Sequence, residues 1–230
     1  MEKSWLLGQY QPEAEARFVK VPEYLADEPG YFLEVQTLNA FERMFSAAQS
    51  AGVNLQIVSA IRTFERQKTI WENKWYGRTL TNGVNLAISH LSDVEKAERI
   101  LKYSAMPGTS RHHWGSDFDL NAVEPEYFES HEGLAVLHWL ETHAREFGFA
   151  RPYTPKNTSR PNGYEDEPWH WSYLPVSIPL LEKYLKLIRY SDLQGFAGAA
   201  LAPSLRIFPH FVAGLSPDCL GISLEFGESS

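Results

Sequence analysis

The spacing of apolar residues changes several times along the chain, and each change marks an element. From about residue 32 to 51, Val35, Leu38, Phe45 and Ala48 recur at helical spacing, and Gly52 follows as a stop. The run 55–61 (Leu-Gln-Ile-Val-Ser-Ala-Ile) is short and rich in β-branched residues, which predicts a strand. A helix is predicted over 65–76, with Ile70, Trp71 and Trp75 on one side. Ser92 followed by Glu95 forms a capping box for another, which carries Val94, Ala97 and Leu101. Residues 105–116 read as loop, with Pro107, Gly108 and Gly115, and 117–121 as a short strand. A helix over 132–147 places Leu137, Leu140, Ala144 and Phe147 in register and ends at Gly148. The stretch 151–166 has Pro152, Pro155, Pro161 and no periodicity, and structureless loops of this length inside compact domains are often functional. A strand over 167–173 and a helix over 177–188 follow. Residues 1–30 read as irregular, and the Gly- and Pro-punctuated tail beyond 190 carries little signal.

This alternation predicts an α+β fold, a small sheet with helices packed on it. No repeat, low-complexity segment or domain boundary interrupts the 230 residues, so one domain over 1–230 is expected. Composition narrows the partners. The net charge of −8, without any Lys/Arg run, argues against nucleic acid. No stretch is long and apolar enough to span a bilayer. The N-terminal Met1–Gly8 holds only a two-leucine apolar patch, too little for a leader; the expectation is a cytoplasmic protein as given, or a periplasmic one if a leader has been removed. The single cysteine, Cys219, excludes an intrachain disulfide and a thiolate metal cluster, and is expected to be a small buried apolar residue.

Chemistry concentrates in two segments. His112 and His113 sit in Ser110-Arg-His-His-Trp-Gly-Ser-Asp-Phe-Asp119, and His170 sits in Glu167-Pro-Trp-His-Trp-Ser-Tyr173. A catalytic zinc site takes three ligands from His and Asp/Glu, leaves a fourth position for water, and needs a further carboxylate to accept the water's proton. Two histidines, an aspartate and Glu167 supply that set. On a strand, Asp117 and Asp119 share a face while Phe118 and Leu120 share the other. His112 lies an odd seven positions before Asp119, so a turn near Gly115 must redirect the chain before both can meet one ion. Glu167 and His170, three apart around Pro168, require a bend at the strand entrance. His90, His131, His138, His143 and His210 have no such company and are expected to be ordinary hydrogen-bonded residues. His138 and His143, five apart on a predicted helix, do not share a face.

The two segments resemble the signature motifs of the VanY-type D-alanyl-D-alanine carboxypeptidases, zinc peptidases that share their fold with the Hedgehog signalling domain. The pattern Ser-x-His-x-x-Gly-x-Ala-x-Asp is matched by Ser110, His112, Gly115 and Asp119, and Glu-x-Trp-His by Glu167, Trp169 and His170. A third element, an apolar strand followed by Ser-x-x-Arg-Ser/Thr-Phe/Tyr and a nearby Gln, is matched by Ser59, Arg62, Thr63, Phe64 and Gln67. The resemblance implies a Hedgehog/DD-peptidase-like fold with a small antiparallel sheet, a core over about 32–188, and peripheral extensions at 1–31 and 190–230. It implies Zn²⁺ held by His112, Asp119 and His170, with Glu167 as catalytic base. Arg62 would meet a substrate carboxylate or the developing oxyanion, assisted by Gln67 and Ser110. The implied activity is removal of the terminal D-amino acid from a peptidoglycan-derived stem peptide. An L,D-carboxypeptidase or endopeptidase with the same site, and a non-catalytic zinc-containing binding module, are the alternatives. Asp117 stands where the family has Ala, as either an orienting partner for a ligand or a backbone-bonding residue, and His113 stands beside His112 without an assigned role.

Overall fold

The computed structural model describes residues 3–221, so the end of the weakly patterned tail, 222–230, lies outside the described residues. A short N-terminal helix α1 (Lys3–Leu6) is followed by strands β1 (Phe18–Lys20) and β2 (Phe32–Glu34), which pair antiparallel as a two-stranded sheet. Helix α2 (Val35–Ser50) starts directly at the end of β2, because the Glu34 carboxylate accepts the free backbone N–H groups of Gln36 and Thr37 at 2.8 and 3.0 Å. The helix predicted from residue 32 therefore begins three residues late. Strands as short as β1 and β2 leave no periodicity to read.

Next come β3 (Ile57–Ser59), α3 (Phe64–Trp75) and α4 (Asp93–Ile100). Thr63 caps α3, and α4 carries the predicted Ser92–Glu95 capping box. After β4 (Asp117–Leu120), α5 (His131–His143) gives way to a 3-10 turn over 144–147 that ends at left-handed Gly148. Strands β5 (Phe149–Ala150) and β6 (His170–Tyr173) follow, and α6 (Leu174–Leu187) begins earlier than predicted. Pro175 sits in its first turn, where no N–H donor is needed.

The main sheet is fully antiparallel with order β3-β4-β6-β5, which places β4 and β6 at its centre. Register across that pair is Asp117 to Ser172, Phe118 to Trp171 and Asp119 to His170. One face is apolar: Phe118, Leu120 and Trp171 pack with Phe41 and Met44 of α2 and Leu140 of α5. Side chains buried to this degree each contribute roughly 2 kcal/mol. The other face presents Asp117, Asp119, His170 and Ser172, all buried. A second core collects Trp71 of α3, Trp114, Tyr184 of α6, and residues of both chain ends, among them Trp5, Leu6, Phe196, Ile207 and Cys219. Cys219 is buried as expected. Among the described residues no helix is long and apolar enough to cross a membrane.

Candidate metal centre

Two neighbouring strands and one turn build the centre. Asp119 and His170 are direct cross-strand partners on β4 and β6, on the face away from Phe118 and Trp171. His112 comes from a 3-10 turn over 111–114 that ends at Gly115, whose φ of 72° is left-handed. This is the predicted redirection. The predicted bend before His170 is present too: the His170 N–H donates to the Glu167 carbonyl at 3.2 Å, and the Glu167 N–H to the Tyr153 carbonyl at 2.9 Å. The proline-rich stretch 151–166 thus reaches the site, and the Tyr153 ring stands edge-on to His170 at 4.9 Å.

His112, Asp119 and His170 each turn one ligand atom inward, all within 4.8 Å of one another. His112 Nε2 and His170 Nδ1 lie 3.4 and 3.5 Å from Asp119 Oδ1. His112 Nε2 and Asp119 Oδ1 are both buried and without a hydrogen-bond partner. Buried polar atoms are rarely left so, and orphans of this kind that converge on one point are what a bound cation would satisfy. The outer nitrogens set the tautomers. His112 Nδ1 donates to the Ala60 carbonyl at 2.8 Å, leaving the Nε2 lone pair inward, and His170 Nε2 donates to Asp117 Oδ1 at 3.1 Å, leaving Nδ1 inward. Two imidazole nitrogens and one carboxylate oxygen fit three positions of a tetrahedral zinc ion. Among the described residues, the other histidines take no part in the cluster.

The electrostatics suit a cation. Burial pushes the His112 imidazolium down to about 4, so its ring is neutral near pH 7. Burial would lower His170 as well, but its hydrogen bonds to Asp117 and Glu167, with the charge of Asp119, hold it up at about 9, so near pH 7 Nδ1 carries a proton that a bound cation would displace. Burial works against the charged forms of Asp117 and Asp119, yet the neighbouring positive groups hold both below the usual carboxylate range, Arg111 acting first on Asp117. Glu167 goes the other way: burial raises its carboxyl above the ordinary value, only partly opposed by His170. Its Oε2 lies 3.2 Å from His170 Nδ1.

The remaining predicted residues surround this cluster. Arg62 reaches Asp119 Oδ2 at 3.4 Å and donates to Gln67 Oε1 at 3.3 Å, while Gln67 Nε2 is tied to the Ala105 carbonyl at 2.8 Å. Ser110 is buried and lines the small cavity shared by Arg62, His112, Glu167 and His170. His113 is drawn elsewhere: Nδ1 donates to the Arg62 carbonyl at 2.5 Å, and Nε2 accepts the Gly108 N–H at 3.1 Å. Both of its nitrogens are spent, and it supports the backbone of Arg62. Asp117 bonds to a histidine of the cluster rather than to backbone. It also accepts Arg111 Nε at 2.8 Å and Ser116 Oγ at 2.5 Å, and Arg111 donates to Ser172 Oγ at 2.6 Å. Sequence reasoning missed Arg111; an arginine just before the two histidines of the signature segment, six residues ahead of an unexpected Asp117, was the available signal. A cleft of about 410 Å³ opens beside the cluster, with Arg62, Asp119, Glu167 and Trp169 on its wall.

The model of the VanY family, D-alanyl-D-alanine carboxypeptidase, matches residues 31–176. The chain belongs to the VanY family. A curated relative, the D-alanyl-D-alanine carboxypeptidase of Enterococcus faecalis, is 31% identical over 177 residues, covering 76% of this chain and 60% of the relative. The solved structure of VanYB in complex with D-alanine-D-alanine is 29% identical, with a TM-score of 0.51 over 76% of this chain and 93% of that one. A Zn(II) complex of the vancomycin-resistance D,D-pentapeptidase VanY from a VanB-type cassette is 27% identical, with a TM-score of 0.50 over 72% and 88%. The chain spans only 51% to 65% of the length of the curated relatives it matches. The α+β architecture, with a small antiparallel sheet flanked by helices, is the one this VanY family shares.

Proposed function

We propose that this protein is a zinc-dependent D,D-carboxypeptidase that removes the terminal D-alanine from peptidoglycan stem peptides. The observation that carries the reading is the convergence of His112 Nε2, Asp119 Oδ1 and His170 Nδ1 beside the buried Glu167 carboxylate. A zinc ion held there would polarise the peptide carbonyl and lower the pKa of the attacking water. The Glu167 carboxylate, buried beside His170 at the same centre, would accept that water's proton and return it to the leaving amine. The Arg62 guanidinium, anchored by Gln67, offers its free donors to the negative charge that develops on the carbonyl oxygen or to the substrate carboxylate. Ser110, buried on the wall of the small cavity that Arg62, His112, Glu167 and His170 share, would assist in holding the substrate. The described chain serves as one peptidase domain in this reading, because residues before 32 and after 188 help to close the core behind the site.

The test is digestion of defined muropeptides, with zinc restored in one sample and chelated in the other, followed by mass spectrometry. The expected product has lost a single D-alanine, only in the zinc sample. Loss of a different terminal residue, or of a cross-link, would reassign the bond cut. Glu167→Gln is expected to lower kcat by roughly 10²–10⁴-fold while zinc stoichiometry stays at the wild-type value. Near-normal turnover by that variant would remove Glu167 from the mechanism.

A further inference from the structure

Arg66, Ile70 and Lys74 are spaced four apart on α3, so they line one side of that helix, and all three face the cleft that ends at Asp119 and Glu167. Lys74 is half-buried there. Its Nζ donates to Ser104 Oγ at 2.6 Å, and Ser104 is itself buried on the cleft wall. Among the described residues no carboxylate lies within ion-pairing distance of Nζ. Burial and, after it, the Arg62 cation lower its pKa, and the Glu167 carboxylate opposes them more weakly.

An ammonium partly withdrawn from water, bonded to a neutral hydroxyl and repelled by a second cation, is unfavourable in the cleft by itself. The two carboxylates on the cleft wall, Asp119 and Glu167, belong to the metal centre, and neither forms an ion pair with the ammonium. Instead of pairing with an acid, this lysine is tied to a buried hydroxyl at the wall of the cleft. A ligand that brings its own negative charge would turn the arrangement favourable.

We propose that Lys74, held by Ser104, is a second carboxylate-binding point of the cleft. It takes a substrate carboxylate apart from the carbonyl that reacts at the metal end, and so determines which peptides are accepted. The inference rests on the reading of this cleft as a peptide-substrate site. A stem peptide offers two sources for the carboxylate, its C-terminus and the α-carboxylate of a γ-linked D-glutamate.

The experiment uses zinc-loaded protein in a Glu167→Gln background, so that peptides bind without being cut. Calorimetric titration compares three probes: L-Ala-γ-D-Glu-L-Lys-D-Ala-D-Ala, its C-terminal amide, and its D-Glu α-amide. Lys74→Met is expected to weaken the parent peptide about tenfold or more, the loss expected for one charge-assisted hydrogen bond. For one of the two amides, proteins with and without the Lys74→Met change should bind equally, and that amide identifies the source. Lys74→Arg should recover part of the affinity, and Ser104→Ala should show a smaller loss with the same amide dependence. Equal weakening of all three probes, or no weakening, overturns the proposal, since a merely structural lysine would act without regard to substrate charge. Hydrolysis by the parent protein is measured separately. Turnover without Lys74 dependence sinks this inference and leaves the carboxypeptidase reading standing. Lys74-dependent binding without turnover does the reverse, and no binding of any probe overturns both.

Discussion

Asp117 and Asp119 point to the same side of β4 but receive opposite company. Asp119 keeps one oxygen unpartnered toward the cluster, whereas both oxygens of Asp117 are engaged, by Arg111 and His170 on one side and Ser116 on the other. A carboxylate behind a histidine fixes its tautomer and raises its basicity. Asp117→Ala is therefore expected to weaken zinc binding by roughly 10- to 100-fold, measured by competition with a chromophoric chelator. It should also cost about 3–5 kcal/mol of stability, because Arg111 would be left charged and wholly buried without its partner. Adding Arg111→Met should recover much of the stability in a denaturant titration but none of the zinc affinity. Recovery of both would mean that Asp117 acts only through Arg111. The shared face of Asp117 and Asp119 was legible from the two-residue period of a strand. That Asp117 would meet His170 was not, because it depends on the β4–β6 register between segments far apart in the chain.

At the level of elements, the turn over 111–114 decides whether His112 and Asp119 can share an ion. Gly115 is its pivot: besides its left-handed φ of 72°, an added Cβ would lie 2.8 Å from the backbone nitrogen of Glu34. Gly115→Ala is expected to destabilise the fold by roughly 1–3 kcal/mol and to loosen zinc binding, read from the denaturation midpoint with and without zinc. If the midpoint is unchanged, the turn is more pliable than this packing implies. The need for a turn here followed from the odd interval between His112 and Asp119. What the sequence could not convey is that β2 closes against it: Glu34, which caps α2, also donates its backbone N–H to the Gly115 carbonyl at 3.0 Å. Pairing between β1 and β2 is a non-local event, with too few residues in either strand to write a pattern.

Over the whole molecule, the sheet separates two cores, and the polar face of its central strands is enclosed rather than exposed. The segments beyond both ends of the signature region help to enclose it: the Trp114 indole donates to the Leu6 carbonyl at 3.1 Å, and Trp71 to the Ala197 carbonyl at 2.8 Å. Cys219 reports on this closure. Its thiol is fully buried, and burial pushes its pKa up to about 11. Alkylation by iodoacetamide at pH 8 is expected to be far slower in the native protein than in denaturant, and to quicken only as the C-terminal segment detaches. A native rate equal to that of a free thiol would mean that the segment is not seated on the core.

The order of residues alone carried the identities and local aim of the chemistry: which strand face holds Asp119, where the chain must turn, which residues match the family's three motifs, and where α3, α4 and β4 lie. Those properties depend on side-chain periodicity and on backbone preferences within a few residues. The rest waited on the packed fold: the pairing of Asp119 with His170, the tautomers imposed through Ala60 and Asp117, the withdrawal of His113 from the centre, and the lysine in the cleft. Each of these is a contact between distant segments, and its energy comes from burial and hydrogen bonding that exist only after the strands have paired and the two cores have closed.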